Sequence, residues 1–251
     1  MTCAVAALIP CAHVSADATI RPEGKISPYS ERLASYFSRK KNSGFHPSAS
    51  FRARALETRN DPLYIGLEQS FTVNAPASKV VAVIEDFGNY PNLFDEVVKA
   101  EVTKRSGADR FVLLQEQKIP LPFIPNTKFE MSYCTVSPSA KEKYYIYRVS
   151  SGKDLKYDDG MIMIKQLSDT SCAVYELDFI YGNWGALGPI PDSIIWESVV
   201  KGMVQANMII KCRAENPQWG YGACKSEAKK LCSGINVADI VKKKISADAV
   251  L

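Results

Sequence analysis

Histidine is almost missing from this chain. Only His13 and His46 occur in 251 residues. His13 lies in an apolar leader and His46 precedes Pro47 in a turn-rich stretch, so no imidazole is placed for Ser-His-Asp or Cys-His catalysis. Zinc sites of the HExxH kind need two histidines on one helix face and are excluded as well. The seven cysteines contain no CxxC pair, which removes structural zinc ribbons and thioredoxin chemistry. No apolar run reaches the length of a membrane-spanning helix. There is no GxGxxG after a strand and no GxxxxGK[ST], so no nucleotide cofactor site is indicated. No metal, cofactor or catalytic residue is therefore assigned from sequence.

With 46% apolar and 23% charged residues, the composition is that of a globular protein. The net charge of +4 is too small to call for nucleic acid. Its distribution is uneven. Residues 21–60 hold nine Lys/Arg against three Asp/Glu, whereas residues 61–251 hold 22 against 23. The basic character belongs to an N-terminal arm.

Four segments follow from composition. Residues 1–16 are uncharged and apolar and end Val14-Ser15-Ala16, small residues at the positions a signal peptidase needs. They are read as a signal peptide, which places the protein in the periplasm or outside the cell. Residues 17–63 form the basic arm, with a short helix over Ser30–Lys41 that carries Leu33, Tyr36 and Phe37 on one face. That face either packs on the body or forms, with its arginines and lysines, a transient membrane contact. Residues 64–215 are the body and residues 216–251 a tail. Cys224 of the tail is expected to pair with Cys212 or Cys232 in an oxidising compartment.

In the body, Leu67, Phe71 and Val73 alternate with polar residues as a strand does. Asn74-Ala75-Pro76 ends it. Val80, Val83, Ile84 and Phe87 then share one helix face. Six strand-like runs follow, at about 96–104, 110–119, 128–136, 143–150, 160–167 and 172–181, with Asp158-Asp159-Gly160 among the separators. A long helix capped near Asp192 runs to about Arg213 and is apolar on several faces. The pattern predicts an α+β fold: about seven strands in a curved antiparallel sheet around a long C-terminal helix.

This order, with Val73-Asn74-Ala75-Pro76-Ala77-Ser78-Lys79-Val80 and Asp86-Phe87-Gly88-Asn89-Tyr90-Pro91, resembles the START-like helix-grip superfamily. That group includes polyketide cyclases/dehydrases, coenzyme-Q-binding proteins and lipid-transfer START domains. The resemblance implies a monomer that holds a hydrophobic small molecule (lipid, sterol, quinone or polyketide-like) in an internal cavity. The alternative it implies is a cyclase/dehydrase-type enzyme that uses Lys165, Tyr133, Tyr147 or Glu130 as acid or base.

Strand alternation assigns the cavity wall. Charges collect on Glu116, Lys118, Lys128, Glu130, Arg148, Glu176 and Asp178, so the opposite phase is taken as inward. It supplies the expected ligand-binding residues Gln115, Gln117, Met131, Tyr133, Tyr147, Met161, Met163, Lys165, Tyr175 and Phe179, joined by Met203 of the long helix. Lys165 is the one charge in this set. It either pairs with an acidic ligand head group or snorkels to the rim. The apolar, proline-rich run 119–125 is read as a lid or a lip that touches membrane, and the glycine loop 184–191 as a hinge.

Overall fold

The computed structural model describes residues 22–43, 50–59, 61–118, 126–182 and 190–251. The leader, His46, the 119–125 run and most of the glycine loop lie outside these residues. The elements are α1 (Ser30–Ser43), β1 (Arg52–Glu57), β2 (Ile65–Val73), α2 (Ala77–Ile84), α3 (Tyr90–Leu93), β3 (Val97–Ser106), β4 (Arg110–Gln117), β5 (Thr127–Ser139), β6 (Glu142–Gly152), β7 (Leu155–Ser168), β8 (Ser171–Gly182), α4 (Asp192–Glu215), α5 (Tyr221–Ser233), α6 (Val237–Lys242) and β9 (Ile245–Ser246).

The strands make one sheet in the order β3-β4-β5-β6-β7-β8-β2-β1-β9. Every neighbouring pair is antiparallel except β1 with β9. The fold is α+β with the long C-terminal helix, as the sequence indicates. The sheet is larger than expected because β1 and β9 extend it. Leu56 pairs with Ile245 there, and both Ala55 and Leu56 are buried. Their strand, Arg52-Ala53-Arg54-Ala55-Leu56-Glu57, is too charged and alanine-rich to announce itself by periodicity.

Three local expectations change. The β6–β7 turn falls at Gly152, where φ is +142°, and not at Asp158-Asp159-Gly160, which lie inside β7. Asp192 is the first residue of α4 rather than its cap; Pro191 holds the cap position, and its fixed φ suits a helix entry. Cys212, Cys224 and Cys232 are all free thiols, so the expected disulfide is not formed.

The sheet is covered on both faces. On one face α2 and α4 pack against Phe71, Val73, Tyr145, Ile164 and Val174. On the other, Leu33, Tyr36 and Phe37 of α1 are buried against Tyr144, Met161, Met163, Tyr175 and Phe179. The apolar face of α1 is thus occupied by the sheet. Arg32 pairs with Asp248 and Arg39 donates to the Leu251 carbonyl at 2.6 Å, tying α1 to the C-terminus.

Candidate functional site

Strand register decides which side chains can meet a molecule held between the sheet and α4. Tyr133 stands opposite Tyr147, Tyr147 opposite Gly160, and Gly160 opposite Asp178. Cross-strand partners share a face. Asn207 of α4 donates to Glu176, which lies on the Asp178 side of β8, so this is the face that α4 covers. Of the expected site residues, Gln115, Gln117, Met131, Tyr133 and Tyr147 lie on it, with Met203 one turn before Asn207 on the helix.

Met161, Met163, Lys165, Tyr175 and Phe179 do not. They face α1, and the inward phase assigned to β7 and β8 is reversed. Tyr36 donates to Tyr175 at 2.7 Å, Tyr29 stacks on Phe179 at 5.3 Å, and Lys165 pairs with Glu142 at 3.4 Å near the sheet rim. The reason is that α1 makes the second face of β7 and β8 as apolar as the first. With both faces buried, charge is the feature that sets the assignment, and the two charges it rests on there, Glu176 and Asp178, are interior.

On the α4 face an aromatic row runs Tyr147, Tyr133, Phe111, Phe87, Tyr90, Phe94, with successive ring centres 5.4, 4.7, 5.3, 5.4 and 5.1 Å apart. Gln117 donates to Gln115 at 3.1 Å beside it. Along α4, Val199, Met203, Ala206 and Ile210 recur at helical spacing. These four stay half-buried, while Val200, Val204 and Asn207 beside them are buried. Tyr133, Ile162, Glu176 and Ile180 of the sheet are half-buried too. A strip of incompletely covered, mainly apolar side chains therefore lines the space between helix and sheet.

At one end of that strip stand three carboxyls, of which the sequence puts Glu176 and Asp178 on the outward phase and Asp158 in a turn. Asp158 and Asp178 are 9% and 8% exposed. Gly160 is required between them, because a Cβ there would run into the Tyr147 ring and come within 2.7 Å of Asp178 Oδ1. Burial pushes both aspartates up, and the closeness of the two carboxyls makes one of them keep its proton and share it with the other. Glu176 accepts from Gln69 at 2.9 Å and from Asn207. Burial first, then the charge of Asp178, raises it to about 8. Burial likewise holds the Tyr133 and Tyr147 phenols far above their ordinary range, so they stay protonated.

Gln69 Oε1 has no hydrogen-bond partner here, and Asp158 Oδ1 and Asp178 Oδ1 have none beyond the proton the pair shares. Gln69 is fully buried. Among the described residues no group of three or more His, Cys, Asp or Glu side chains is arranged to hold a metal. A pair of glutamate and aspartate two residues apart on one strand was the available signal, since such a pair points to a single face.

The α1 face also has a cleft, about 350 Å³, beside Leu33, Phe37, Ile146 and Met161. Its charged groups are already matched. Arg148 donates to Asp159 at 2.7 Å and Ser30 donates to the other Asp159 oxygen at 3.0 Å.

With this geometry known, comparison with solved structures is informative about architecture. Human STARD10 superposes with a TM-score of 0.55 over 91% of this chain and 96% of its own, at 12% identity. The fold is the START-like helix grip. A STAR-related lipid transfer protein from Xanthomonas axonopodis is similar at a TM-score of 0.49 and 14% identity, covering 74% of this chain and 97% of its own. The Zhui aromatase/cyclase from Streptomyces sp. R1128 is similar at 0.45 and 16%, covering 66% and 93%. No family model matches the sequence, and no curated protein does.

Proposed function

We propose that this helix-grip chain binds a hydrophobic small molecule between the sheet and α4. The observation that carries the reading is the half-burial of Val199, Met203, Ala206 and Ile210 along α4 and of Tyr133, Ile162 and Ile180 on the sheet. Apolar side chains that face one another without closing leave room for an apolar occupant. Binding is tested with the purified chain and a neutral fluorescent apolar probe, and mass spectrometry of organic extract from protein made in its native host identifies the occupant. Ile162→Trp is expected to fill the space and abolish probe binding, at a stability cost of about 1–3 kcal/mol. Equal binding by parent and variant would sink the reading.

A second reading, turnover of the bound molecule, is favoured by one feature. The Asp158–Asp178 pair shares a proton and Glu176 titrates near 8, so acid and base forms coexist near neutrality. Conversion of a bound polyketide-like substrate that is lost in Asp158→Asn would select it over simple carriage.

A further inference from the structure

We propose that this interior selects apolar molecules that carry a hydrogen-bond donor, a hydroxyl or an amine, and rejects those that carry an anionic head group. The proposal rests on the binding reading above and names the ligand chemistry of the same site.

Its ground is the sign of the unmatched groups. Gln69 Oε1 is buried, unpartnered and an acceptor, and Asp158 Oδ1 and Asp178 Oδ1 meet no donor beyond the proton of their own pair. One shared proton still leaves acceptor lone pairs on both carboxyls. The Gln69 amide spends its donor side on Glu176, which leaves its carbonyl oxygen unpaired. Leaving a buried acceptor unmade is costly, so a molecule that brings a donor to it gains more than it would in water.

The charge balance points the same way. Three carboxyls face this end of the interior, and among the described residues no cation stands with the groups that act on them. The buried cation of this region, Arg148, is on the other face and closed onto Asp159. A carboxylate, sulfate or phosphate entering here would meet like charge in a poorly screened space. Lys165, the residue that would have welcomed an acidic head group, is also on the other face.

The test uses the full chain, stripped of lipid, and competition against a neutral fluorescent apolar probe. Two matched sets are compared: octadecanol, octadecylamine, octadecyl methyl ether and stearate; and cholesterol, cholesteryl methyl ether and cholesterol sulfate. In whichever set fits, the alcohol or amine is expected to bind at least about tenfold tighter than the ether, the effect of a donor reaching a charged acceptor. The anion is expected to bind weakest. Tight binding by the amine alone would identify the donor as an ammonium, and binding by both as any donor. Equal binding of alcohol and ether would overturn the proposal, because the acceptors would then be satisfied by water, while the binding reading would stand. An anion that binds tightest would overturn it too. Failure of the probe and both sets to bind would sink the binding reading itself. Gln69→Met is expected to lower the alcohol-to-ether ratio; if that variant does not fold, the ratio in the parent chain still decides.

Discussion

The two faces of the sheet treat buried charge in opposite ways. Under α1, Asp159 is enclosed but receives both Arg148 and Ser30, and Tyr175 passes the bond it accepts from Tyr36 on to Glu68 at 2.9 Å. The groups left over on that face are neutral phenols, Tyr64 and Tyr144. Under α4, Asp158 and Asp178 are also buried and have only each other and Tyr147. A face that exists to hold the fold together matches its charges. A face that leaves acceptors unmatched beside half-buried apolar side chains is built at some cost in stability, which is the pattern of a functional interior.

The largest effect should come from breaking the matched face. Arg148 and Asp159 have side chains 12% and 2% exposed, so Asp159→Ala strands a guanidinium in the interior. Loss of about 3–5 kcal/mol is expected in chemical denaturation. Asp178→Asn on the other face should cost little or stabilise, because Asp178 keeps its proton and the amide preserves its shape. If the two variants lose equal stability, the contrast between the faces is wrong.

A smaller effect is expected from pH. Glu176 rises from 4.5 to about 8 on folding, and both aspartates rise too. The folded state therefore holds more protons than the unfolded chain, and the slope of stability with pH is negative through this window. The contribution is full below about pH 4 and is lost as pH climbs toward 8. Asp95 and Asp248 act oppositely: their lysine and arginine partners lower them, so their contribution fades only as pH falls below the ordinary carboxylate range. Calorimetry should show a melting temperature several degrees higher at pH 5 than at pH 8. Glu176→Gln should flatten that dependence, and an unchanged slope would show that Glu176 does not titrate in this range.

Most of the architecture was legible because hairpin punctuation and helical spacing are local. The strands from β3 to β8, α1, α2 and α4 fall close to where alternation and turn residues predict them. The site was half legible. On β4, β5 and β6 the solvent phase carries Glu116, Lys128 and Glu130, and the opposite phase does face α4. On β7 and β8 the same rule failed because charge was treated as a sign of water. Glu176 and Asp178 are polar for what they line, and Met161, Met163, Tyr175 and Leu177 are apolar because α1 covers them. Nothing within those strands reveals that a helix of the N-terminal arm lies on them. The pairing of β1 with β9 was hidden for the same reason, as it joins the two ends of the chain.

The smallest expected effect is at Lys165, and it separates the two faces most cleanly. Its ammonium lies 3.4 Å from Glu142, with its side chain 35% exposed. An ion pair that water can reach is worth little, so Lys165→Met should change stability by less than about 1 kcal/mol. The side chain stands opposite Ala173 on the α1 face, across the sheet from the interior. Ligand affinity should therefore not change for acidic, neutral or basic apolar molecules, read by the same probe competition. A selective loss of acidic ligands would mean that an anionic head group reaches the α1 face. The occupied space would then be the cleft beneath α1, and the acceptor-lined interior under α4 would be structural.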